Sequence, residues 1–73
     1  MSKPVKTPIE IHVNGETRLV KAGLSVADLL GDLKIKTEHT AVELNRTILP
    51  KSNYTQALSE GDRLEIVHFV GGG

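Results

Sequence analysis

Apolar and polar residues alternate along Ile9 to Val13 (IEIHV), the period of a half-buried strand. Asn14-Gly15 follows, and both residue types tolerate positive φ, so the chain is predicted to turn back into a second strand over Glu16 to Lys21. The register of that return decides which side chains face inward. A two-residue turn sets Val13 opposite Glu16 and puts Val20 on the face of Ile9 and Ile11. A bulged turn puts Leu19 there instead, because a one-residue slip flips every side chain. The bulged turn is the expected one.

Gly23 breaks the alternation, and the period changes. Val26, Leu29, Leu30 and Leu33 fall at i, i+3, i+4 and i+7, one apolar stripe of a short helix. Ser25 precedes it as N-cap, and Asp28 three residues later completes a shortened capping box. Gly31 inside this helix costs about 1 kcal/mol against alanine, so either something packs closely there or the helix tolerates it. Thr40 to Leu44 (TAVEL) reads as a strand with Val42 and Leu44 inward. Asn45-Arg46 turns it into a short partner over Thr47 to Leu49, stopped by Pro50.

Lys51 to Leu58 reads as loop with about one helical turn, in which Tyr54 covers a core edge. Ser59 to Asp62 (SEGD) is dense turn chemistry, where Glu60 and Asp62 serve the turn. Arg63 to Val70 (RLEIVHFV) is the last strand and the most β-prone segment. The order is strand, strand, helix, strand, short strand, strand. One helix must then cover one face of one mixed sheet of four to five strands, an α+β arrangement.

On the last strand Leu64 and Ile66 share one face, while Val67 and Phe69 share the other. If the first pair meets the helix, the second points outward. Val67 and Phe69 are therefore candidates for partner docking, the alternative being that they pack beneath the Lys51–Leu58 loop.

Composition narrows the field. Seventy-three residues make one small domain with a modest core. Nine basic residues balance nine acidic ones, and Tyr54 and Phe69 are the only aromatics. Neither a basic stripe nor a stacking platform for nucleic acid is present. Without cysteine there is no disulfide framework and no thiolate metal site. His12, His39 and His68 lie far apart in sequence and form no constellation, so no metal site is expected. Residues 1–8 (MSKPVKTP) lack an apolar h-region and are expected to be a flexible leader, before a domain over 9–70 and a flexible glycine tail over 71–73. A cytoplasmic setting is expected.

The NG hairpin, the helix opening SVADLL, the AVELN…ILP segment, the EGDRLEIV run and the Gly-Gly close resemble the ubiquitin-like (β-grasp) sulfur carriers, specifically the thiamine-biosynthesis branch. The resemblance covers Ile9 to Gly73 and implies the β-grasp fold. A carboxylate is a poor electrophile and must be activated, typically as an acyl-adenylate. The activating site must surround it, so the residues before it must thread a narrow channel, which only glycine permits. Gly73 is then the covalent carrier as a 1-thioglycine, and Gly71 and Gly72 thread the channel.

The resemblance implies the rest: activation by a ubiquitin-activating-enzyme-like adenylyltransferase using MgATP, sulfur from a cysteine-derived persulfide, and delivery to thiazole synthase. The chain itself is expected to bind no cofactor and to act as a protein co-substrate rather than an enzyme, with no phosphate-binding loop and no triad. The alternatives are the small subunit of molybdopterin synthase, a lysine-modifying ubiquitin-like protein and a non-covalent β-grasp interaction module.

Overall fold

The computed structural model describes residues 8–68. Five strands form one sheet: β1 (Pro8–Val13), β2 (Glu16–Lys21), β3 (Thr40–Leu44), β4 (Thr47–Ile48) and β5 (Arg63–His68). Their order across the sheet is β2-β1-β5-β3-β4. β1 and β5 are parallel at the centre, and every other neighbouring pair is antiparallel. Among the described residues a single α-helix, α1 (Val26–Asp32), lies between β2 and β3 in sequence, with one-turn 3-10 helices at Thr37–His39 and Lys51–Asn53. This is the expected α+β architecture, a ubiquitin-like β-grasp sheet under one main helix.

The first hairpin corrects the expected bulge. Asn14 and Gly15 take φ of 51° and 85°, the pair of left-handed conformations a two-residue turn needs, and Val13 stands opposite Glu16. The twist of such a turn matches that of its flanking strands, so no extra residue is accommodated. Val20 therefore joins the core side, and Leu19 lies 69% exposed on the other face. β1 also starts one residue earlier than the alternation suggested. Pro8 is its first residue, a position where a missing N–H costs little. β4 ends one residue short of Leu49.

α1 begins as its sequence requires. Ser25 Oγ accepts from the Asp28 N–H at 3.0 Å, and the Asp28 carboxylate accepts from the Ser25 N–H at 3.1 Å. These bonds hold the Asp28 carboxyl below its usual range. At the other end Leu33 is the C-cap rather than a helical residue, and Lys34 follows at φ 59°. Lys34 N–H donates to the Gly31 carbonyl at 3.0 Å and Ile35 N–H to the Leu30 carbonyl at 2.9 Å, a Schellman close. Of the two explanations for Gly31, close packing is excluded: a Cβ there would meet nothing within 4 Å.

Val26, Leu29 and Leu30 press onto Ile11, Val13, Val42 and Leu64 of the sheet, all buried. Tyr54 and Leu58 complete this core rather than merely edging it. Their segment is tied to the helix side, since Ala27 N–H donates to the Tyr54 carbonyl at 2.8 Å and Leu58 N–H to the Leu24 carbonyl at 2.8 Å. The only other buried residue among those described is Thr40, whose hydroxyl donates to the Lys36 carbonyl.

Candidate functional site

β5 is the central strand on which every candidate site residue depends. Its start is fixed by the SEGD turn. Gly61, at φ 85°, donates its N–H to the Glu10 carbonyl at 2.7 Å, and Glu60 Oε1 accepts from the Glu10 N–H at 2.9 Å. Asp62 accepts from the Ser59 N–H at 2.8 Å and from the Asn45 side chain at 3.1 Å. Glu60 and Asp62 thus serve the turn and also lock it to β1 and to the β3–β4 turn.

Along β5 the inward side chains are Leu64 and the half-buried Ile66, as the strand phase required. Val67 points the other way and is 49% exposed. The Lys51–Leu58 segment is bonded to the helix side, so it does not cover Val67. Phe69, Gly71, Gly72 and Gly73 lie outside the described residues. His68 is the last described residue of β5, exposed, and paired with Thr40.

Two further apolar residues share the open face with Val67. Ile48 of β4 is 66% exposed and sits opposite Glu43, and Leu19 is the third. The pairings place them differently. Val67 stands beside Ala41, and Ile48 is one strand further on, two residues along in the next row of the same face. Leu19 pairs with Glu10 near the start of β5, so it lies about 20 Å from Val67 at ordinary strand spacings. Val67, Ala41 and Ile48 form one small apolar surface near the end of β5, and Leu19 is separate from it.

Ile48 is the member of this surface that sequence reasoning missed, although a signal for it exists. Once Asn45-Arg46 is read as a two-residue turn, with both residues at positive φ (53° and 72°), Ile48 falls on the outward face with Glu43. Among the described residues no group of three or more His, Asp or Glu side chains converges as a metal set. Nor is any described helix long and apolar enough to cross a membrane. A polar depression at Lys21–Leu24, Asp28 and Asp32 lies at the helix start, away from the end of β5.

Comparison with known proteins places this geometry. The ThiS family matches residues 9–73, a span that includes the three glycines. The chain is 40% identical over 65 residues to the sulfur carrier protein ThiS of Bacillus subtilis, covering 86% of this chain and 98% of that one. It is 47% identical over 66 residues to a thiazole synthase of Paramagnetospirillum magneticum, where the match covers 89% of this chain but only 20% of the relative's length. The crystal structure of the thiamine biosynthesis protein ThiS from Geobacter metallireducens superposes with a TM-score of 0.74 at 35% identity, covering 89% of this chain and all of that one. Fold, family match and full-length relatives agree: the chain belongs to the ThiS family of ubiquitin-like sulfur carriers.

Proposed function

We infer that this chain carries sulfur for thiazole formation in thiamine biosynthesis on the carboxyl group of Gly73. The observation that carries the inference is the family match running through Gly73, on a segment that follows directly from the central strand of the sheet. Activation begins when the Gly73 carboxylate attacks the α-phosphate of MgATP in a ubiquitin-activating-enzyme-like adenylyltransferase. Pyrophosphate leaves and an acyl-adenylate forms. The outer sulfur of a cysteine-derived persulfide then attacks the acyl carbon and displaces AMP. A thiol opens the resulting acyl disulfide, leaving a thiocarboxylate on Gly73 and a disulfide behind.

The chain supplies the reacting atom and its delivery, and the partners supply the catalysis and the MgATP. Gly71 and Gly72 are threading residues, because a site that encloses Gly73 must approach the preceding backbone closely. Val67, with Phe69 two residues on in the sequence, docks the partner. Thiazole synthase receives the sulfur, a role supported by relatives of that name whose sequences contain a segment similar to this chain. The setting is cytoplasmic.

The test is intact and fragment mass spectrometry of the chain after incubation with the adenylyltransferase of its host, MgATP and a persulfide donor. Sulfur-for-oxygen exchange has nearly the nominal mass of Met1 oxidation, so the shift must be assigned by exact mass to the Gly73 fragment. Pyrophosphate release with that shift supports the carrier. Release neither of pyrophosphate nor of AMP leaves a non-covalent binding module.

A further inference from the structure

Two asparagines hold β5, one near each end, and one of them holds it two residues before its last described residue. Backbone pairing between β1 and β5 stops at Val13–Leu64. Beyond it the chain turns away at Asn14, whose N–H makes a last backbone bond to the Leu64 carbonyl at 2.9 Å. The Asn14 side chain then takes the place of the next strand residue. Ile66 N–H donates to Asn14 Oδ1 at 2.7 Å, and Asn14 Nδ2 lies 3.4 Å from the Ile66 carbonyl it donates to. A side-chain amide offers the same donor and acceptor as a peptide group, so it can continue a ladder that the backbone has left.

Asn45 makes the equivalent bond at the opposite end of β5. It also sits at positive φ in a hairpin turn, and its Oδ1 accepts from the Arg63 N–H at 2.9 Å. The two residues therefore resemble each other in chemistry and backbone, and differ in which end of the strand they hold.

We propose that Asn14 is a positioning residue for the carrier segment, fixing through Ile66 the strand from which the sequence runs on to Gly73. β3 already pairs with β5 through Thr40–His68, so the Asn14 amide makes Ile66 the last of the described residues held from both sides. Gly73 is seven residues further on, within at most about 25 Å of extended chain. A segment with a fixed base loses less conformational freedom when an activating site closes on it. Asn14 acts through the strand and not at the reacting carbon, so its effect belongs in binding. The inference rests on the carrier reading above.

The experiment compares adenylation kinetics of the full chain and three variants with the host adenylyltransferase and MgATP. Asn14→Gly removes the amide while keeping a residue suited to φ 51°, and Asn14→Asp keeps the acceptor for the Ile66 N–H. Asn45→Gly removes the matching bond from the far end. Asn14→Gly should raise the KM for the chain about tenfold, the scale of ordering one more residue, with kcat within about twofold. Asn14→Asp should recover part of that rise, and Asn45→Gly should leave KM unchanged. Faster hydrogen exchange at the Ile66 amide in Asn14→Gly should accompany the KM effect. Equal KM values for Asn14→Gly and Asn45→Gly, in a wild-type chain that is adenylated, overturn the inference alone. A wild-type chain that is not adenylated overturns the carrier reading and the inference with it. If Asn14→Gly does not fold, Asn14→Asp against Asn45→Gly carries the same comparison.

Discussion

Glu43 and Glu65 stand directly opposite each other on β3 and β5, both on the sheet face away from the helix. Like charges in a cross-strand pair are destabilising, by a few tenths to about 1 kcal/mol. They sit in one row with Ile48, next to the row of Val67 and Ala41. Folding alone does not require this pair. Glu65→Gln should therefore raise stability by about 0.5 kcal/mol, moving Tm up by roughly 2–4 °C. Added salt should raise the wild-type Tm by more than it raises that of the variant, because screening relieves only the charged pair. Thermal melts at two ionic strengths measure both effects, and a lower Tm for Glu65→Gln would show that the pair is compensated by a neighbour.

The open-face surface near the end of β5 makes a second, separable prediction. Val67 is half exposed and outside the core, so Val67→Asp should cost folding stability about 1 kcal/mol, the span of strand propensities. Its effect on the complex with the adenylyltransferase should exceed tenfold in affinity, since a buried unpaired carboxylate at an interface is costly. Phe69→Asp is expected to behave alike, from the alternation of the RLEIVHFV sequence. Isothermal titration beside chemical denaturation separates the two quantities. A loss of stability that matches the loss of affinity would return these residues to the fold.

How much of this is legible in the sequence depends on whether a feature is local. The Ser25–Asp28 box, the Val26/Leu29/Leu30 stripe and the Thr40–Leu44 strand are each written in a few consecutive residues, and the structure has them all. The first hairpin departs from expectation at the one point where two local rules compete. Asn-Gly specifies a two-residue turn, while the larger Leu19 looks the better core residue than Val20. Turn geometry wins: Asn14 and Gly15 at positive φ set Val13 opposite Glu16, and that pair fixes the register of all six. The Asn14–Ile66 and Asn45–Arg63 bonds are not legible at all. They join residues 52 and 18 positions apart, and only the strand order brings them together.

The end of α1 carries slack that substitution should recover. Gly31 is helical and exposed, and a methyl group added to its Cα would meet nothing within 4 Å, so Gly31→Ala should stabilise by about 0.5–1 kcal/mol. Lys34 holds the left-handed closing position, where glycine has no steric penalty, so Lys34→Gly should gain about 1 kcal/mol. The two sites are close enough to couple, and a double-mutant cycle by urea denaturation would measure the departure from additivity. A destabilised Lys34→Gly would mean that the glycine's unfolded-state entropy outweighs the relief of strain.

Tyr54 provides the pH test, and as the only tyrosine in a chain without tryptophan it is a clean probe. Burial pushes its phenol above the usual value of 10.0, opposed by a hydrogen bond from the Val42 backbone. The folded state therefore holds its proton where the unfolded chain has lost it. With fewer protons bound in the unfolded state, stability must fall as pH rises. The contribution is fully present below pH about 10, and it is lost as pH climbs through the higher pKa of the folded state. Ultraviolet titration should show tyrosinate forming at higher pH in the native chain than in the chain unfolded in urea. Denaturation midpoints should decline above pH about 10 in the wild type and less steeply in Tyr54→Phe, which removes this ionisation. Parallel declines in the two proteins would take the alkaline loss away from Tyr54 and place its hydroxyl in water.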